Sequence, residues 1–164
     1  MLIFRRIGLI LILLSFVASC KKSGDNGSDF NTLKITSGAN SGFTFTYSPN
    51  MGFWSSTGSN ARYVHLVFGD TDNNTTQGKN ILSILYYDDG TGLAVYPGGQ
   101  IEHVIIGVTI NDQEKYYLAQ DVQLTVANFT DTHYTGTLSG TFISSVGSET
   151  INATMNIDLQ MVEL

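Results

Sequence analysis

The chain has 164 residues, 14 acidic against 8 basic, and a formal charge of −6 at neutral pH. This length suits one domain with its own core, and the acidic balance argues against a nucleic-acid binder, which needs basic patches. The only cysteine is Cys20; an internal disulfide is excluded, and packing and strand pairing must hold the fold.

The chain opens with a short basic head containing Arg5 and Arg6. An uncharged, mostly apolar run follows from Ile7 to Val17, then the small residues Ala18 and Ser19, then Cys20. That order describes a secretory signal peptide. The run is too short to cross a bilayer, which takes about 20 apolar residues. Beyond Cys20, Lys21 to Asp29 is polar, rich in Gly and Ser and without periodicity, as expected of a flexible tether.

Val17-Ala18-Ser19-Cys20 resembles the lipobox of bacterial lipoproteins: an aliphatic residue, two small ones, then cysteine. The resemblance covers the first 20 residues only. It implies cleavage between Ser19 and Cys20, diacylglycerol on the Cys20 sulfur, and fatty acylation (palmitate or similar) of the new amine. A thiolate is a good nucleophile for such alkylation, and two or three acyl chains hold a protein stably on a membrane. In that family an aspartate after the cysteine retains the protein at the inner membrane. Lys21 stands there instead, which implies the outer membrane, facing either the periplasm or the outside. The run from Cys20 to Asp25 also resembles the start of small uncharacterised outer-membrane lipoproteins of Bacteroidetes type. The expected organisation is a signal peptide over 1–19, a lipidated tether over 20–31 and a β domain over 32–164. Loss of residues 1–19 leaves 6 basic against 14 acidic side chains, a formal charge of −8, which argues against electrostatic docking on anionic headgroups.

From residue 32 the dominant period is two, the strand period. Leu33 to Thr36 predicts a first strand, and Phe43, Phe45 and Tyr47 alternate with Thr44 and Thr46 in a second. Ser48-Pro49-Asn50-Met51-Gly52 is turn chemistry. Ala61 to Phe68 places Tyr63, His65 and Val67 on one face and Val64, Leu66 and Phe68 on the other. Asn80 to Tyr87 is apolar on both faces, which predicts a strand covered on both sides. Asp88 to Gly92 reads as a hairpin turn returning into a short strand to Tyr96. Ile101 to Ile110 is a long strand, and Asn111-Asp112-Gln113 turns into Lys115 to Ala119. Val122, Leu124 and Val126 form a further alternation. Tyr134, Gly136, Leu138, Gly140 and Phe142 share one face, as do Ile151, Ala153, Met155, Ile157, Leu159 and Met161. Eight to ten strands with short turns predict an all-β domain, preferably an antiparallel β-sandwich because of the doubly apolar strands, with a closed β-barrel as the alternative.

No catalytic constellation stands out, and the expected function is non-enzymatic. The histidines are His65, His103 and His133, no Gly-x-Ser-x-Gly elbow is present, and the adjacent Glu102 and His103 should point to opposite faces. Asp70, Asp72 and Asn74 have the opening oxygen spacing of a calcium loop, but Thr75 and Ile81 occupy the places that want Gly and Glu. Only a looser surface calcium site is left as a cofactor. Trp54, Tyr86, Tyr87 and Tyr96 are candidate ligand platforms, each also a natural core or strand residue. The partners expected are the membrane, through the lipid anchor, and a glycan or envelope protein. A binding or structural module is the leading reading; a carbohydrate-binding accessory protein and a barrel carrying a small apolar ligand are the alternatives.

Overall fold

The computed structural model describes residues 29–47, 50–57, 61–69 and 80–164. The leader, Cys20, most of the tether, Ser48 and Pro49 of the expected turn, and the calcium candidates Asp70, Asp72 and Asn74 lie outside them; Asn50, Met51 and Gly52, expected in that turn, open a strand instead. Ten strands form: β1 (Thr32–Gly38), β2 (Thr44–Thr46), β3 (Asn50–Ser56), β4 (Arg62–Gly69), β5 (Ile81–Asp88), β6 (Leu93–Tyr96), β7 (Ile101–Ile110), β8 (Gln113–Phe129), β9 (His133–Ser144) and β10 (Thr150–Glu163).

Seven of them close a ring in the order β3, β4, β5, β7, β8, β9, β10. The ring shuts where Gln160–Glu163 of β10 lies parallel to Met51–Trp54 of β3. The domain is therefore a closed barrel, and the preferred sandwich gives way to its alternative. The wholly antiparallel expectation fails at the same place, since the closing pair is parallel. Alternation within a strand says which face is apolar but not which distant strand pairs with it. The other strands are additions. β1 pairs with the first half of β10 and carries β2, while β6 pairs with the second half of β8.

Local chemistry explains most boundaries. Asn111 and Asp112 both have positive φ, 52° and 61°, as a two-residue hairpin loop of the I′ type requires. They join β7 to β8. At residues 88–92 the expected hairpin does not form, because β6 pairs with β8 and β5 keeps β7 as its neighbour. The turn is instead capped by its own carboxylates: Asp88 accepts from the Gly90 N–H at 3.2 Å and Asp89 from the Thr91 N–H at 3.0 Å. The two strands expected across 115–126 are one 17-residue strand. Bulges between Ala119 and Asp121 and between Val126 and Asn128 shift its phase, so Tyr117, Val122 and Leu124 all point inward and are buried.

The barrel interior is packed with side chains. β10 buries all six of its alternating apolar residues, and β9 buries Tyr134, Leu138 and Phe142. β4, β5 and β7 add Leu66, Phe68, Leu82, Ile84, Val104 and Ile106. Each fully buried aliphatic side chain contributes roughly 1.5–3 kcal/mol. Trp54 is also inside, donating its indole N–H to the Asp131 carbonyl at 3.2 Å.

A gap remains on the edge of β10 between its pairings with β1 and β3. Asn31, at φ 57°, fills it. Its side-chain amide donates to the Asp158 carbonyl at 2.6 Å and accepts from the Asp158 N–H at 3.0 Å, while its own N–H donates to the Asn156 carbonyl at 2.7 Å. The carboxamide thus stands in for a peptide group of a missing strand. Replacing Asn31 with Ala leaves both Asp158 backbone groups without these partners, and we expect a loss of about 1–3 kcal/mol. Chemical denaturation measures it; an unchanged midpoint would show that the gap needs no plug.

Candidate functional site

The outside of the barrel is divided into two unlike walls. Register fixes the outward positions. Met51, Val67, Ser83, Ile105 and Leu118 form one cross-strand row over β3, β4, β5, β7 and β8; Phe53, His65, Leu85 and His103 form the next. Met51, Tyr63, Ile81, Tyr116, Leu118 and Val162 are 36–45 % exposed, and Phe53, Val67, Leu85, Tyr87 and Ile105 are half-buried. The spans 51–53, 63–69, 81–87 and 103–109 contain no Asp, Glu, Lys or Arg. This corrects the expectation that β5 is covered on both sides: Leu82, Ile84 and Tyr86 face the core, but Ile81, Leu85 and Tyr87 belong to the outer wall.

At the centre of this wall Ser83 stands between two histidines. Its hydroxyl lies 2.9 Å from His65 Nε2 and 3.3 Å from His103 Nε2, and the two rings are 6.2 Å apart at 81°. A hydroxyl donates to one neutral imidazole while accepting from the other, so Ser83 satisfies the Nε2 atoms of both rings. The pKa of His65 is held below its ordinary value, first by burial and then by the charge of His103. The wall therefore favours an uncharged His65 at neutral pH. Beside the trio a groove of about 160 Å³, lined by Tyr96, Glu102, His103, Ile105, Leu118 and Ala119, is smaller than the 300–1,000 Å³ usual for a small-molecule pocket.

The opposite wall is polar. Thr135, Thr137, Ser139 and Thr141 on β9 face outward beside Asn152, Thr154, Asn156 and Asp158 on β10. An open groove of about 410 Å³ runs between Thr36, Asp121, Gln123, Thr141, Asn152 and Thr154. Its side chains bond to one another, with Thr141 Oγ1 donating to Asn152 Oδ1 at 2.7 Å and Asn152 Nδ2 to Ser37 Oγ at 2.6 Å. At one barrel end Arg62 stacks on Trp54 and Phe129, 4.4 and 4.7 Å from the ring centroids, and pairs with Asp131 at 3.3 Å. At the other, Glu149 accepts from the Tyr117 hydroxyl, from Asn40 at 2.9 Å and from Lys115 at 3.3 Å. Burial and Glu149 push the Tyr117 phenol up to about 12, while the Tyr117 hydrogen bond holds the Glu149 carboxyl below its ordinary range.

The four aromatic candidates are not gathered on one surface. Trp54 and Tyr86 are in the core, where burial pushes the Tyr86 phenol up. Tyr87 lies on the apolar wall against Tyr63, ring centroids 5.4 Å apart, and Tyr96 borders the small groove beside His103. Glu102 borders the same groove. The third histidine is elsewhere, with His133 Nε2 3.4 Å from Asp158 Oδ1. The His65–Ser83–His103 cluster was not visible in the sequence, where its members lie 18 and 20 residues apart; the signal that existed was the outward phase of His65 within Ala61–Phe68. Searches against protein-family models, curated proteins and solved structures each returned no match.

The depressed His65 pKa sets a direction for stability. Below its ordinary value of about 6.5 the unfolded chain takes up a proton that folded His65 resists. Its contribution is therefore complete above about pH 6.5 and falls as the pH drops toward the lower folded value. The thermal midpoint should fall more between pH 7.5 and 5.5 in the wild type than in His65→Gln; equal falls would contradict the burial of His65.

Proposed function

We propose that the chain is a lipid-anchored lipoprotein of the bacterial outer membrane whose β-barrel acts, without catalysis, as a binding module. The observation that carries the binding role is the apolar wall centred on Ser83, whose spans on β3, β4, β5 and β7 carry no charge. The largest apolar patch on a typical soluble monomer covers about 300–600 Å² and is often its interaction surface. The packed interior favours action through the outer walls over carriage of a small apolar ligand. Ser83 lies on the outer wall between two imidazoles, and the groove beside His103 is smaller than the pockets that hold small-molecule substrates. The anchor rests on the Val17–Cys20 motif. Its test is metabolic labelling with palmitate: the wild type should incorporate label, whereas Cys20→Ala should incorporate none and accumulate as the longer precursor. Equal labelling of the two would overturn the anchor.

A second reading, carbohydrate binding, is favoured by the hydroxyl- and amide-lined groove on the polar wall, whose Asn, Gln and Thr side chains suit sugar hydroxyls. On that reading an insoluble polysaccharide captures the protein, and Asn152→Ala with Gln123→Ala reduces capture at least tenfold. Capture unaffected by the pair would place any glycan elsewhere.

A further inference from the structure

We propose that the apolar wall of β3, β4, β5, β7 and β8 rests against the electrically neutral surface of the bilayer that holds Cys20, so that the barrel lies on the membrane. This deepens the anchored reading above and rests on it. The first argument is reach. Eight residues, 21–28, separate Cys20 from Asp29, and the nine steps between them extend at most about 30 Å. The chain enters the barrel at Phe30, which bridges to Asn156 of β10 and is 41 % exposed. That entry adjoins β3, the first strand of the wall, because Met51 pairs with Gln160 four residues further along β10. The same entry adjoins the polar wall, because Asn156 also pairs with Thr137 of β9; an anchor there keeps both walls within reach of the headgroup layer, and their chemistry decides which one faces it.

The second argument is chemistry. The wall spans roughly 20 Å along the strands and roughly 20 Å across five of them, a footprint on the order of 400 Å². Its spans on β3, β4, β5 and β7 carry no charge, and the carboxylates of Glu102 and Glu114 stand at its rim, where they can stay in water, whereas the remaining surface carries the net negative charge that anionic headgroups repel. A protein partner is recognised by about one hydrogen bond per 100–200 Å², but the wall offers few polar groups, and at its centre the Ser83 hydroxyl and the Nε2 atoms of His65 and His103 already bond to one another. Lipid needs no such bonds. Tyr63 and Tyr87 at one end and Tyr116 at the other supply rings with polar tips, suited to the boundary between headgroups and acyl chains. The third argument is shape. The outer wall of a closed barrel is convex, so a second copy would meet it along a narrow strip, while a fluid lipid surface conforms to it. The polar Thr-rich wall on the far side means that the barrel lies on the bilayer and does not cross it.

Cys20 is the only cysteine, so a thiol introduced elsewhere is the sole dye site once Cys20 is a thioether. Full-length Leu118→Cys, Ile81→Cys and Thr137→Cys, processed in cells, would be labelled with an environment-sensitive fluorophore and reconstituted in phosphatidylcholine vesicles containing nitroxide-bearing lipid. Dyes at 118 and 81 should shift to the blue and lose at least half their emission to the nitroxide, whereas the dye at 137, on the polar wall, should do neither. Two wall positions guard against one variant that fails to fold. Water-like emission at 118 and 81, equal to that at 137, would overturn the proposal. Shielded dyes without lipid quenching, with self-quenching relieved by unlabelled protein, would overturn it in favour of a second copy. The wild type reports on the anchor separately: it should take no dye, and a labelled wild type would sink the anchored reading on which the proposal stands.

Discussion

The parallel pairing of Gln160–Glu163 with Met51–Trp54 is the constraint on which the rest depends. Without it the ten strands would be an open sheet, with β3 an unpaired edge offering backbone donors and acceptors to other chains. With it the apolar faces of seven strands converge on one interior, and the buried faces of β9 and β10 meet those of β4, β5 and β7. Closure also makes the outer apolar wall continuous, because β3 joins it to the β10 residue Val162. Asn31 completes the same edge where no strand covers it, by matching the Asp158 peptide with a side-chain amide.

The barrel shows how two demands share one alternating pattern. Inward positions follow the core rule throughout, with Tyr, Phe and branched aliphatic residues filling the space. Outward positions follow two different rules. On β9 and β10 they are Thr, Ser and Asn, as water requires. On β3, β4, β5 and β7 they remain apolar, which a solvated wall does not require and which costs solubility. The hydrogen-bonded His65–Ser83–His103 trio fits that surface, because burial keeps His65 biased toward its neutral form.

Much of the fold was legible in the sequence. The six apolar residues of β10 and the Tyr134–Phe142 face of β9 were read with their correct orientation, because a period of two runs unbroken through them. The Asn111–Asp112 turn was legible from residues that tolerate positive φ. Three things were not. Partner choice between Met51 and Gln160 spans more than a hundred residues, and no local pattern encodes it, so the sandwich was preferred over the barrel. The bulges of β8 reverse its phase twice, which made one strand read as two. Apolar residues on both faces of β5 implied two buried faces, whereas one of them forms the outer wall. The candidate site was less legible still: Trp54 and Tyr86 were attractive as aromatics but serve the core, and the histidines converge only through strand pairing.

Closure is tested most directly by amide hydrogen exchange resolved by residue. The strand amides of 52–54 and 161–163 should be protected to the same degree as those pairing β4 with β5, since opening either seam exposes the same core. Rapid exchange confined to β3 and the end of β10, with β4 and β5 still protected, would mean an open sheet, and the continuous wall derived from the ring would fall with it.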